Sequence, residues 1–134
     1  SMITATYGYT RTLKDTTYDQ AIEKVTAALK EEGFGVLTEI DVKATLKKKL
    51  DVDFRRYVIL GACNPPLAHK ALTAEPLIGL LLPCNVTVFE EDDGTINVSA
   101  IKPTEMFKVV DKPGMAELAG EVDAKIQAVM ERLG

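Results

Sequence analysis

The sequence has no tryptophan, one histidine and only two cysteines among its 134 residues. Two cysteines are too few for the disulfide framework of a small secreted protein, and a chain of this length buries enough surface to fold without one. The soft metal ligands are Cys63, Cys84 and His69, and neither Cys-x-x-Cys nor paired-histidine spacing occurs. We therefore expect no metal site and interpret both cysteines as free thiols in a reducing cytosol.

Long apolar runs and strongly basic segments are also lacking. The longest apolar run, Leu77 to Pro83, is too short to cross a membrane, and the N-terminus has no secretion-signal pattern. The net charge of −4 argues against nucleic acids and anionic membranes as partners. Lys43 and Lys47 to Lys49 form one basic cluster, which we interpret as a solvated helix face; an anion or acidic-partner patch is the alternative.

No motif for nucleotide binding or acid–base catalysis is present. The stretch around Asn64 lacks the glycine spacing and lysine of a nucleotide-binding loop, and Pro65 and Pro66 offer no amide hydrogen to an anion. One histidine, His69, would have to serve every catalytic scheme. We therefore expect no cofactor and favour a non-enzymatic protein.

Residues 1–134 are expected to form a single domain. The apolar fraction of 46% and the charged fraction of 27% are ordinary for a globular protein. No repeat, linker or change in composition divides the chain. Ser1 before Met2 is typical of the remnant of an expression tag.

Apolar spacing predicts the first elements. Residues 3–10 alternate between apolar residues and threonine, which predicts a strand. Apolar residues from Tyr18 to Leu29 recur at helical spacing, so we expect a helix that is capped by Asp15 or Thr16 and ends at Gly33.

A second strand and a short helix follow. Phe34 to Ile40 predicts a strand, after which Asp41 is a favoured cap for a short helix. The continuous apolar run from Val58 to Ala62 predicts a central strand buried on both faces, in which Gly61 permits close packing or a bulge.

Proline marks the limits of the next elements. Asn64 is a good helix cap and Pro65 suits a first helical turn, so a helix is expected from there until Pro76 ends it. Periodicity does not assign residues 77–82, which we interpret as extended or loop. Pro83 is unsuited to the middle of a central strand and marks an edge, a bulge or a strand start.

The last third predicts a hairpin and a long helix. Two alternating segments around Val86 and Val98 flank the polar loop 91–95, as in an antiparallel hairpin. Residues 103–110 suggest one helical turn, and residues 115–133 carry one apolar helix face. The element order predicts an α+β fold, a mainly antiparallel sheet of about five strands layered with helices.

The same dipeptide occurs twice, as Cys63-Asn64 and Cys84-Asn85, each time at the edge of an apolar run. If both strands belong to one sheet, these four residues could line the polar end of an apolar pocket, and they are our candidate binding residues. The alternative is structural, because cysteine is often a small buried hydrophobe and asparagine often caps helices or stabilises turns.

Several linked motifs in order closely resemble domain-of-unknown-function family 302. They are GFGVLTEID at 33–41, VKATL at 42–46, ILGACNPP at 59–66, EP at 75–76 and IGLLLPCNV at 78–86. The resemblance spans nearly the whole chain. It implies a small bacterial or archaeal α+β domain that is dimeric in crystals and has no established activity.

Three functions remain open from the sequence. The first is a non-enzymatic small-molecule binding or sensing module, a homodimer with its pocket at the two Cys-Asn pairs. The second is a redox or sulfur-handling protein that uses Cys63, since a helix N-terminus favours the thiolate form of a nearby cysteine. The third is a purely structural dimerisation domain in which residues 77–82 pack across the dimer.

Overall fold

The fold is described from a computed structural model over residues 3–134; Ser1 and Met2, interpreted above as a tag remnant, lie outside the described residues. The strands are β1 (Gly8–Leu13), β2 (Gly35–Asp41), β3 (Tyr57–Cys63), β4 (Cys84–Glu90) and β5 (Ile96–Ile101). The α-helices are α1 (Tyr18–Glu31), α2 (Val42–Leu50), α3 (Pro65–Ala74), α4 (Pro103–Met106) and α5 (Met115–Glu131). Two 3₁₀ helices cover Pro76–Leu81 and Phe107–Val109.

The five strands form one sheet in the order β1-β5-β4-β3-β2, and every neighbouring pair is antiparallel. Because β1 and β2 lie at opposite edges, α1 crosses the sheet between them and contacts β4 and β5 on the way. Helix α5 lies beside α1 and contacts β1. The predicted α+β fold with a mainly antiparallel sheet is confirmed.

The core lies between the sheet and these two helices. On the sheet side, Val86, Val88 and Val98 have no exposed surface. On the helix side, the residues at three- and four-residue spacing are equally buried, among them Val25 and Ile126. A buried aliphatic side chain contributes about 1.5–3 kcal/mol relative to exposure, so this layer accounts for much of the stability.

Both ends of α1 are formed by local sequence. The Thr17 hydroxyl oxygen accepts the Gln20 backbone amide, and the Gln20 side-chain oxygen accepts the Thr17 backbone amide. This reciprocal capping box needs a spacing of three residues, so neither Asp15 nor Thr16 could form it with Gln20. The predicted cap was therefore wrong by one or two residues. The predicted end at Gly33 is confirmed: its φ of 83° allows the Phe34 amide to bond the Leu29 carbonyl at 2.9 Å.

Two strand predictions require correction. The first strand begins at Gly8, where its pairing with β5 begins, and the alternating residues before it belong to no strand. β3 lies inside the sheet between two neighbours as expected, but it is not buried on both faces. Its side chains alternate between buried Val58 and Leu60 and half-buried Tyr57 and Ile59, since the main helices cover one face.

The segment that periodicity did not assign is mostly the 3₁₀ helix Pro76–Leu81. Its tight turns bury Ile78, which is 1% exposed, and leave Leu77 and Leu80 on the surface at 70% and 82% exposure. The interpretation of residues 77–82 as extended or loop was therefore wrong, except for Leu82, which is extended.

A buried carboxylate joins three elements of the fold. Asp123 on α5 is 4% exposed and accepts hydrogen bonds from the Tyr9 hydroxyl, the Gln127 amide and both the hydroxyl and the backbone amide of Thr104. Burial raises the pKa of Asp123, but these hydrogen bonds outweigh burial and hold that pKa below its ordinary value. Burial, and to a smaller extent the hydrogen bond to Asp123 and its negative charge, raises the pKa of Tyr9 to about 12.

Within residues 3–134, every helix is too short or too polar to serve as a membrane span.

Candidate functional site

A cavity of about 310 Å³ lies where β3 ends and β4 begins, and we name it the strand-end cavity. Helices α3 and α5 form two of its walls. Its large apolar lining residues are Phe34, Leu67, Leu82, Phe107, Leu118 and Val122. Leu37 and Leu72 also line it and are 69% and 41% exposed, so the cavity opens to solvent between β2 and α3.

Small side chains create the space. Ala62 on β3 and Ala68 and Ala71 on α3 face the cavity, where larger residues would fill it. Interiors are normally packed to the density of organic crystals, with few voids larger than a water molecule. Small side chains at neighbouring positions of β3 and α3 therefore leave a cavity that a bound molecule can occupy.

One boundary of the cavity depends on the absence of a side chain at Gly61. The Thr38 hydroxyl and Pro83 Cγ occupy the position that a Cβ of Gly61 would take, with Pro83 Cγ at 2.7 Å from it. Thr38 and Pro83 both line the cavity, and the Leu82–Pro83 peptide bond is cis. The predicted close packing at Gly61 is confirmed, and a register shift lies opposite it in β2, between Val36 and Thr38.

The fold brings Cys63 and Cys84 to the same cavity. Cys84 pairs with Ala62 across β3 and β4, so Cys63 stands one position further along the neighbouring strand. Cys84 is buried, whereas Cys63 is half-buried. Burial, and to a smaller extent the nearby Cys63, raises the pKa of the Cys84 thiol to about 11. Cys84 is therefore a protonated, uncharged thiol at neutral pH.

Asn64 lines the cavity but has its polar atoms engaged elsewhere. Its side-chain oxygen accepts the Leu67 amide at 3.3 Å, which is the predicted cap of α3. Its amide nitrogen donates to the Glu32 carbonyl at 3.4 Å, beyond the end of α1. Asn64 thus fixes the position of α3 relative to α1 and so determines where that wall of the cavity stands.

Asn85 is not brought to this cavity. It is exposed on β4 and lines a different cavity of about 330 Å³ on the opposite face of the sheet, together with Tyr57 and Phe89. The reason is the alternation of side chains along a strand, which sends neighbours Cys84 and Asn85 to opposite faces. The two identical dipeptides therefore occupy different surroundings.

Charged residues contribute nothing to the lining. Among the described residues that line the strand-end cavity there is no Asp, Glu, Lys, Arg or His, and His69 is exposed elsewhere on α3. The lysine cluster lies on α2, where Lys47 is 3.1 Å from Asp51 and Lys43 donates to the Phe54 carbonyl. Its interactions are local to that helix and the loop after it.

Comparison with known proteins identifies the family of the chain. The family described as Domain of unknown function DUF302 matches residues 9–133. The chain belongs to the DUF302 family. Its structure is similar to the crystal structure of the uncharacterized conserved protein DUF302 from Bacillus stearothermophilus, with a TM-score of 0.86 and 34% sequence identity over 96% of this chain and 98% of that chain. No curated protein matches the chain.

The DUF302 match includes every residue that lines the strand-end cavity. The sequence had pointed to Cys63, Asn64 and Cys84 but not to Leu118 and Val122, which α5 contributes from more than thirty residues away. Their positions on the apolar stripe of α5 predicted burial, and nothing in the stripe distinguishes a residue that faces a cavity from one that faces the sheet. The alanine residues on one face of α3, Ala68 and Ala71, were the sequence signal that could have predicted a cavity beside this helix.

Proposed function

We propose that this DUF302 chain is a small-molecule binding or sensing module and that the strand-end cavity is its site. The observation that carries the proposal is the meeting of Cys63, Asn64 and Cys84 at one apolar cavity of about 310 Å³ that opens to solvent. Ligand pockets are typically concave, mostly apolar and about 300–1,000 Å³ in volume, with a few polar groups. The cavity lies at the lower end of that range, which favours a small ligand.

The walls of the cavity support a preformed site. They come from β3, β4, α3 and α5, and the Asn64 hydrogen bonds hold α3 in place relative to α1. A site on strands and helices needs little ordering when its ligand binds, so more of the interaction free energy appears as affinity.

The test is binding of N-phenyl-1-naphthylamine, an uncharged dye that fluoresces in apolar surroundings. Ala68→Leu fills the cavity from α3, and Ala27→Leu makes the same change on an exposed position of α1. We expect the wild type and Ala27→Leu to bind the dye and Ala68→Leu to lose at least tenfold in affinity. Equal affinity in the two variants would overturn the proposal.

A thiol function is the second candidate, and the half-burial of Cys63 beside the start of α3 favours it. With the Cys84 pKa at about 11, Cys63 would have to be the nucleophile, and two free thiols suit a reducing cytosol. We expect N-ethylmaleimide at pH 7 to label Cys63 in the folded protein and Cys84 only after unfolding. If both cysteines stay unlabelled until the protein unfolds, the thiol function is excluded.

We also propose a homodimer in which the 3₁₀ helix Pro76–Leu81 contacts a second copy. Leu77 and Leu80 are 70% and 82% exposed on that helix, which is unusual for neighbouring leucines. Light scattering should give twice the 14.6 kDa chain mass for the wild type and the single mass for a Leu77→Lys, Leu80→Lys variant. A monomeric wild type would contradict this proposal and leave the cavity unaffected.

A further inference from the structure

The chemistry of the strand-end cavity restricts what can enter it. Its described lining is hydrocarbon apart from Thr38, Asn64 and the two cysteines, and it contains no ionisable carboxylate, amine, guanidinium or imidazole. A charged group that entered would lose its hydration without finding an opposite charge. The inner end of the cavity therefore disfavours ions.

The polar groups of the lining offer little to a ligand that forms hydrogen bonds. Asn64 has one partner on each polar atom, since its oxygen accepts the Leu67 amide and its nitrogen donates to the Glu32 carbonyl, and both bonds direct the side chain towards the helix ends. Cys84 is 5% exposed, and thiols are weak donors and acceptors. Thr38 is exposed, so its hydroxyl belongs to the outer part of the cavity. A ligand hydroxyl beside Cys84 at the inner end would therefore have only a weak partner, which is costly in an apolar site.

The volume of the cavity and the position of its opening indicate what shape of ligand can bind. A volume of about 310 Å³ is about twice that of an engineered apolar cavity of about 150 Å³ that stays dry and binds benzene. The exposed Leu37 and Leu72 extend the apolar surface outward, and Leu72 lies beside Gly79 of the 3₁₀ helix. An elongated molecule can place one end inside and the other in solvent.

We propose that the occupant inserts an uncharged hydrocarbon segment, such as an alkyl chain of medium length, into the strand-end cavity with its polar end at the mouth between Leu37 and Leu72. This inference rests on the proposed binding function and adds the chemical class of the ligand. Affinity then comes from apolar contact with α3, α5 and the ends of β3 and β4.

The test is competition between the bound N-phenyl-1-naphthylamine and a series of linear alcohols from 1-butanol to 1-decanol. Each added methylene should tighten binding about fourfold, the factor that corresponds to about 0.8 kcal/mol per buried methylene, until the cavity is full. Octane-1,8-diol is the matched control for 1-octanol, because it must bury a hydroxyl at the inner end. We expect the diol to bind at least tenfold more weakly.

The outcomes separate this inference from the proposed function. If the diol competes as well as 1-octanol, or if affinity does not depend on chain length, the hydrocarbon inference is wrong, although loss of dye binding in Ala68→Leu would still support a site in the cavity. If the wild type binds no dye, or if Ala68→Leu binds it as Ala27→Leu does, both proposals fail.

A second measurement needs no substitution and covers the case in which Ala68→Leu does not fold. Cys63 lines the cavity, so an alkyl chain inside it should shield the thiol from N-ethylmaleimide. In the wild type, saturating 1-octanol should slow alkylation of Cys63 at least fivefold, and octane-1,8-diol at the same concentration should not. Equal rates with and without 1-octanol would overturn the hydrocarbon inference.

Discussion

At the residue scale, the shape of the site depends on the missing Cβ of Gly61. Thr38 from β2 and Pro83 from the segment before β4 meet over the hydrogen of Gly61 and form part of the cavity boundary. The sequence allowed either close packing or a bulge at this glycine. The close packing occurs at Gly61 itself, whereas the register shift lies in β2, opposite this glycine, between Val36 and Thr38.

Gly61→Ala should therefore destabilise the protein. The new methyl group would overlap Thr38 and Pro83, and overpacking of this kind costs about 1–3 kcal/mol. Urea denaturation measures the loss. Gly35→Ala on β2 is the control, since a Cβ there meets nothing within 4 Å, and its effect should stay within about 0.5 kcal/mol. Equal stability of the two variants would contradict the packing argument.

The two asparagines of the repeated dipeptide should differ when each is replaced by alanine. Asn64→Ala removes the cap of α3 and the bond to Glu32, and loss of a helix cap costs about 0.5–2 kcal/mol. Asn85 is exposed in β4, so Asn85→Ala should change the free energy of unfolding by less than about 0.5 kcal/mol. Thermal or urea unfolding measures the free energy of unfolding of both variants. If Asn64→Ala and Asn85→Ala lose similar amounts of stability, the two asparagines do not have the different roles assigned here.

At the scale of elements, the Asp123 carboxylate joins β1 to α4 and α5. A carboxylate whose pKa is lowered by folding adds stability that is complete above its ordinary pKa of 3.8 and is lost as the pH falls through the lower, folded value. Acid should therefore weaken the attachment of α5 to β1 before it affects the apolar core. The hydroxyl of Tyr9 is the contact from β1.

Tyr9→Phe tests this contact by its dependence on pH. Loss of a hydrogen bond to a charged group costs about 1.5–3 kcal/mol, so the variant should be less stable than the wild type by that amount at pH 7. The difference should shrink as the pH falls through the pKa of Asp123, which hydrogen bonding holds below its ordinary value of 3.8, because the protonated carboxyl group is a weaker acceptor. Tyr7→Phe, at a 62% exposed tyrosine close by in sequence, is the control and should change little. A loss that is the same at pH 7 and in acid would argue against Asp123 as the partner.

The helices and strands also show which sequence signals are reliable. Asp41, Asn64 and Gly33 correctly marked helix ends because caps depend on a few adjacent residues. The first strand was predicted to begin too early. Residues 3–7 alternate like a strand, but their backbone has no neighbouring strand to pair with, and pairing with β5 begins only at Gly8. Residues 77–82 were not assigned because a 3₁₀ helix has no long apolar period.

At the scale of the whole molecule, α1 connects the two edges of the sheet and α5 contacts β1, α1, α3 and α4. No part of the described chain therefore has a core of its own. We expect a single cooperative unfolding transition for residues 1–134, with coincident urea curves from far-ultraviolet circular dichroism and from tyrosine fluorescence. The absence of tryptophan makes the tyrosine signal usable. Two separate transitions would contradict the prediction of a single domain.

The sequence by itself determined the fold class, the limits of most elements and the family, because these depend on local spacing, caps and motifs along the chain. It also indicated that Cys63, Asn64 and Cys84 would meet. Only the tertiary structure decided that Asn85 lies on the other face, that α5 supplies Leu118 and Val122, and that the shared space is an uncharged cavity. Those features depend on strand register and on the packing of distant helices, which arise when the whole chain buries its apolar surface together.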